Sequence, residues 1–404
     1  MPLMLPLRTA VAVVLVASAG STLADDAPPA SAAGGDWQRS IDAIERDGGA
    51  LDHRLSEHFL SMGLAYRANG DLDAAIDAFR QALHVNRINK GLHHLVHVPI
   101  VDLLIEAYAN QGDWQAVDQQ HRFRHWIHKR EAAQNSDRFV DSAITYAAWQ
   151  SRAHYLDTGT PTLTKLREAL AALETALNAV TATGDETDPR LVQILNAEAQ
   201  MRLNLATYVS FTDEDIVTGG QRIGDDFGDI LERRNLIIES FIRGKQALER
   251  VVVLTARQHQ DVEHALALAN LADWELAFDR PQSARENYRR AYQKLKAAGL
   301  SRADLEREFG NPRPMKSFSL ARREPAADDA AVPPNAYVKA RFRVTKHGKV
   351  RAVEVIEASP PDNSRIVREA RATLGNTRFR PSIGDDGPFE DTATIRYLFP
   401  DVSI

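Results

Sequence analysis

The chain of 404 residues contains no cysteine. That absence removes disulfides, thiolate metal sites, a cysteine nucleophile and an acylated cysteine anchor together. An excess of one charge is also missing. With 49 Lys/Arg against 55 Asp/Glu, the net charge is −6 and the pI near 6.1. This excludes a strongly basic chain that coats nucleic acid. Aromatics are sparse, at 7%. Such a composition argues against a β-propeller or β-sandwich as the main body. No Gly-rich phosphate loop, G-x-S-x-G elbow or dinucleotide fingerprint occurs, so no catalysis and no cofactor are expected.

Long apolar runs are missing except one. Thr9 to Ala24 follows Arg8 and is about 16 residues long, short of the ~20 that span a bilayer. Thr22 and Ala24 place small side chains where a signal peptidase reads. Residues 1–24 are therefore expected to be a cleaved signal peptide and 25–36 an Ala/Pro/Gly-rich disordered linker. An exported chain without cysteine fits the periplasm.

From 37 to 310 the apolar residues recur three and four apart, as in Leu55, Phe59 and Met62 or Leu170, Leu173 and Leu177. This period predicts helix after helix. Helices are expected near 137–156, 163–182, 189–209 and 228–254. Thr160-Pro161 and Asp188-Pro189 read as caps before a proline at the first helical position. The acidic, glycine-bearing stretch 211–228 lacks the alternating ligands of a calcium loop and reads as a solvated loop.

In residues 57–90, Gly63 and Tyr66 are followed by Gly70, Ala75, Phe79 and Ala82. This spacing resembles the tetratricopeptide repeat (TPR), which implies paired helices approaching on small residues and a concave binding face. Residues 97–130 repeat the plan, with Tyr108, Gly112, Val117 and His121. A third copy, 266–295, keeps Ala272, Ala284, Tyr288 and Ala291, but has Glu275 and Asp279 where tyrosine and glycine are expected.

Seven of the thirteen histidines lie between residues 84 and 128. His121, His125 and His128 share one helical face, with His93, His94 and His97 on the preceding segment. Imidazoles at this spacing could bind zinc or copper, but HRFRHWIHKR also carries four basic residues. Polar repeat surface is the expected reading, and no metal site is assigned; a His-cluster metal-binding protein is an alternative.

Residues 311–335 read as an Ala/Pro/Asp-rich linker. The period then becomes two. Val338, Ala340, Phe342 and Val344 alternate with Lys339, Arg341 and Arg343, giving a half-buried strand with a basic outer face. A Gly348 turn, a second strand to Ala358, a helix near 363–374 and a closing strand 391–399 follow. The element order, with Phe379, Pro381, Gly387-Pro388 and the aromatic closing strand, resembles the TonB-family C-terminal domain over residues 336–404. The resemblance implies an open strand edge that captures an extended peptide from a partner, such as an outer-membrane transporter segment. Thr392, Thr394 and Arg396 are the expected outward residues of that edge.

The expected fold class is thus a TPR-like α-solenoid with a small C-terminal α+β domain. The expected function is a periplasmic adaptor with protein or peptide partners, no nucleic acid and no stable membrane anchor. A TonB-like energy-transduction component is an alternative. Against it stand the cleavable signal and the short Ala/Pro/Asp-rich stretch 324–335, about a dozen residues reaching ~40 Å.

Overall fold

The computed structural model describes residues 30–131, 136–153, 156, 158–215, 227–315, 336–361 and 363–399. The expected signal peptide, most of the 211–228 loop and positions 316–335 of the expected linker lie outside them. The described chain is mainly helical with a small sheet region at its C-terminal end. No described helix is long and apolar enough to cross a membrane.

The body runs through α1 (Ala30–Gly48), α2 (Arg54–Ala68), α3 (Leu72–Lys90), a short 3-10 turn (Leu95–His97), α4 (Val98–Gln111) and α5 (Trp114–Glu131). It continues with α6 (Asp137–Arg152), α7 (Thr162–Thr181), α8 (Pro189–Asp215), α9 (Phe227–Arg257), α10 (Asp261–Ala277), α11 (Pro281–Ala297) and α12 (Arg302–Phe309). From α1 to α12, each helix packs on the next. Short connections such as the three residues between α2 and α3 make neighbours antiparallel. Helix α1 starts at Ala30, inside the stretch expected as linker, consistent with alanine's helix propensity.

Small residues set the distance between helices. A Cβ built on Gly63 of α2 would stand 2.5 Å from the Phe79 ring of α3, so only glycine permits that approach. Ala75, Phe79 and Ala82 are fully buried beneath it. Ala272, Ala284, Tyr288 and Ala291 occupy the same kind of seam between α10 and α11. Between α9 and α10 the relation recurs with Gly244, whose Cβ would fall 2.2 Å from the Trp274 ring.

Turn chemistry follows the expected plan with substitutions. Asp279 takes φ +58 at the turn position that Gly70 holds with φ +79. Aspartate tolerates this left-handed region better than most residues. Glu275, standing where a tyrosine was expected, is buried and accepts a hydrogen bond from Asn287 Nδ2 (2.9 Å). Asp188 caps α8 as expected, accepting from Arg190 N (2.9 Å). Thr160 does not cap α7. Pro161 is itself the N-cap residue, and the Thr160 hydroxyl faces Arg122.

The C-terminal region comprises β1 (Arg313–Pro314), β2 (Tyr337–Val344), β3 (Val350–Ser359), α13 (Ser364–Asn376), β4 (Phe379–Arg380), β5 (Ser382–Gly384), β6 (Gly387–Phe389) and β7 (Asp391–Leu398). Strands β3, β2 and β7 form an antiparallel sheet in that order. Helix α13 covers one face, burying Ile366, Ala370 and Leu374.

The linker expected over 311–335 is not all linker. Residues 313 and 314 form β1, which pairs with β4, and Met315 N donates to Arg378 O (2.9 Å). Two backbone-paired residues are too short a run to show a period-2 pattern, so the sequence carries no strand signal there. Strands β5 and β6 form a hairpin that packs on α11 and buries Ile383 in the same core as Leu276, Tyr288, Leu295 and Phe309.

Arg380 locks this arrangement. Its Nη2 donates to Asp273 Oδ2 (2.5 Å) and its Nε to Asp273 Oδ1 (2.9 Å). Nη1 reaches Glu308 (3.3 Å), and the guanidinium lies 5.8 Å from the Phe309 ring centroid. Tyr288, fully buried, donates to the same Asp273 (2.6 Å). Burial alone would lower the Arg380 pKa; Asp273 outweighs it and holds the group raised.

Two outcomes are expected in urea unfolding. Asp273→Ala leaves Tyr288 without its acceptor and Arg380 with only the longer contacts to Glu308 and Asn270, and costs ~3 kcal/mol, in the range for breaking a buried charge pair. Gly244→Ala drives a methyl into Trp274 and costs about 1–3 kcal/mol, whereas Gly375→Ala, with open space around it, is not destabilising.

Candidate interaction site

The second face of the sheet, opposite α13, carries the residues expected to act. Lys339, Arg341 and Arg343 are exposed on β2. The register sets Arg396 opposite Lys339, Thr394 opposite Arg341, and Thr392 opposite Arg343. All three expected edge residues are exposed. Among the described residues β7 pairs with β2 only, so it is an edge strand.

The backbone decides which groups that edge offers. Phe399 N donates to Ala336 O (3.0 Å) across the ladder. In an antiparallel pair the bonding direction alternates residue by residue. Odd-numbered residues of β7 therefore bond to β2. Thr392, Thr394, Arg396 and Leu398 turn their N–H and C=O groups outward. The same residues present side chains on the basic face, while Ala393, Ile395 and Tyr397 point toward the α13 side, Ile395 only half-buried.

Charge on this face is incompletely balanced. Lys339 stands opposite Arg396, and Arg343 opposite Arg351, two like-charge cross-strand pairs that each cost stability. The Arg396 guanidinium sits 3.6 Å from the Tyr337 ring centroid, which draws part of its charge onto an aromatic face. Glu354 lies 3.9 Å from Arg341 and Glu390 3.3 Å from Arg343. Tyr337 donates to Glu357, and that carboxylate pushes the phenol pKa up. Two apolar side chains, Ile356 and Leu398, are also exposed on β3 and β7.

The histidines occupy a different place. His121 is buried and stacks on Trp149, with ring centroids 4.4 Å apart. His125 stacks on Tyr146 at 4.8 Å, its Nδ1 3.2 Å from Ser142 Oγ. His93 meets Trp126 edge-on at 3.6 Å, and His97 is buried with Nε2 2.6 Å from Gly91 O. His93, His121 and His125 thus serve as ring packing between α5 and its neighbours, while His97 holds the turn before α4. Among the described residues, no three His, Asp or Glu side chains gather around a common point that could hold a metal.

Beside them lies a buried polar network. Asp118 accepts from Trp149 Nε1 (2.8 Å), Gln150 Nε2 (3.1 Å) and Arg122 Nε (2.8 Å). Arg122 also bonds Glu168, which accepts from Tyr146 (2.9 Å). Lys165, buried to its tip, donates to Ala153 O (2.7 Å). The period-3.6 pattern predicts none of this, because it marks which face is buried and not which polar groups follow it inside.

Sequence reasoning also missed Arg380. In the structure Phe379 and Arg380 are adjacent and both buried, a pattern that no local period announces. Asn270 and Asp273 in the otherwise apolar run of α10 are their counterpart.

No family model and no curated protein matches the chain. Among solved structures it is similar to BtubC (BKLC) from P. vanneervenii, at 14% identity. That match covers 76% of this chain and 99% of that one, with a TM-score of 0.37.

Burial pushes the His121 pKa down to about 3, aided by Arg124 and Arg152. Burial likewise pushes His125 down to about 4, aided by Lys129 and His128. The unfolded chain takes up these protons near the ordinary value of 6.5, before the folded chain does. Their contribution to stability is therefore present above pH ~6.5 and falls as pH drops toward 4. Unfolding midpoints measured from pH 7 to 4 should decline, and His125→Phe should flatten part of that slope.

Proposed function

We propose that the chain is an exported, non-enzymatic adaptor of the periplasm. In this reading α2 to α11 form a TPR-like array that holds one protein on its concave face. The C-terminal region is a TonB-like domain that takes an extended segment of a second protein along β7. The carrying observation is the outward row of backbone donors and acceptors at Thr392, Thr394 and Arg396. Such a row adds a strand by main-chain hydrogen bonds, with alternate side chains giving specificity.

Two further observations support the reading. The Gly63–Phe79 seam and the buried Ala75 and Ala82 have the small-to-aromatic packing that the repeat resemblance implies. Strand, strand, helix and closing strand follow in the order that the TonB resemblance implies. The docked position of the C-terminal region supports an adaptor more than an energy transducer, because Arg380 and β4 hold the sheet on α10–α12.

The absence of cysteine makes Thr392→Cys the chain's single thiol. Thiol-directed crosslinking in the periplasm should yield discrete adducts. Adding Thr394→Pro should remove them without unfolding the chain, since the Thr394 N–H points away from β2 and edge positions accept proline. Adducts unchanged by Thr394→Pro would rule out the β7 edge as the binding site.

A further inference from the structure

We infer that the segment taken up by β7 is acidic at every second position and apolar between. This rests on the strand-addition reading above and specifies its partner. A strand added to β7 has two sets of side chains. One set lies beside Thr392, Thr394 and Arg396, with Lys339, Arg341 and Arg343 one strand further in. The other set lies beside Ala393, Ile395 and Tyr397.

The first set meets positive charge. Residues 336–404 hold twelve Lys/Arg and nine Asp/Glu, net +3, in a chain whose total is −6. Within the sheet face, the Lys339–Arg396 and Arg343–Arg351 pairs set like charges directly opposite each other. Glu354 and Glu390 pair with Arg341 and Arg343, and Glu357 stands opposite Lys339 on β3, so the charge left without a carboxylate across from it is Arg396 on the β7 side and Arg351 on β3. A carboxylate opposite Arg396 relieves the Lys339 repulsion; a threonine neighbour is small enough to admit a carboxylate beside Arg341 or Arg343. The second set meets Ile395, which is half-buried at the open edge although its neighbours Ala393 and Tyr397 are covered. An apolar side chain there completes the core under α13. Acid-apolar alternation thus follows from charge on one face and unfinished burial on the other.

The test uses the full chain and three fluorescent octapeptides, (Glu-Val)4, (Gln-Val)4 and (Lys-Val)4, followed by anisotropy. (Glu-Val)4 should bind roughly tenfold or more tightly than (Gln-Val)4, with the advantage lost at high salt. (Lys-Val)4 should not bind. Arg396→Glu should invert the ratio of (Glu-Val)4 to (Gln-Val)4 affinity, whereas a folding defect would weaken both peptides and leave the ratio standing. Equal binding of the Glu and Gln peptides would overturn the acidic assignment and leave strand addition standing. Binding of (Glu-Val)4 that ignores Thr394→Pro would show charge attraction without strand addition and overturn both. Binding of no peptide would overturn the acidic assignment, and the Thr392→Cys adducts would then report on the edge separately.

Discussion

Arg380 takes a positive charge out of water, and Asp273, Glu308 and the Phe309 ring are what make that tolerable. Removing one partner from such a site leaves an unpaired buried charge, which costs far more than the pair contributes. Asp273 is also the acceptor for Tyr288, the largest fully buried side chain of the α10–α11 seam. The joint between the helical body and the C-terminal sheet is therefore wired into the core of the last helix pair. Displacing the sheet would strand Arg380, Asp273 and Tyr288 together. It would also open the β1–β4 pairing and expose Ile383. Each of these contacts alone is modest; as a group they share partners, so they hold or fail as one.

A second constraint acts along the helical body. Helices approach closely only where a side chain is missing or small, and here the missing side chain faces a large ring in each case: Gly63 against Phe79, Gly244 against Trp274. The ring fills the space that the glycine leaves, so close approach produces no cavity. In the middle of the body the same space-filling role passes to stacked rings, His121 on Trp149 and His125 on Tyr146. Imidazole is an acceptable flat filler so long as it stays neutral, which its depressed pKa ensures near pH 7. The spacing that suggested metal ligands is thus the spacing of a helix face packed on a neighbour.

What was legible in the sequence follows from what periodicity reports. The starts of α6, α7, α8 and α9 fall within a residue of their expected places, because period 3.6 and capping residues are local signals. The alternation in β2 and β7 marked Thr392, Thr394 and Arg396 as outward for the same reason. Interactions between distant segments left little trace. Arg380 meets Asp273 across more than a hundred residues, and nothing in either neighbourhood names the other. Strand β1 is two residues long and draws its pairing from β4, not from its own propensity. Asp279 shows the intermediate case: its turn was expected from position, although the residue departs from glycine, because the fold needs a left-handed φ and aspartate can supply it.

Docking changes what the open edge can do. A module on a free linker binds with the entropy cost of ordering that linker, and its effective concentration near a second site depends on linker length. Here the β4–β1 pairing and the Arg380 pair fix the sheet to α10–α12, so the sheet is already placed on the helical body. The cost of rigid placement is borne in folding and not in binding, which is the physical meaning of preorganisation. It also fixes the distance between the β7 edge and the helical body. Two segments captured by one such chain would be held at a set separation and orientation. Under the reading proposed above, that property would separate an adaptor from a tether, and it would follow from the buried guanidinium more than from either region taken alone.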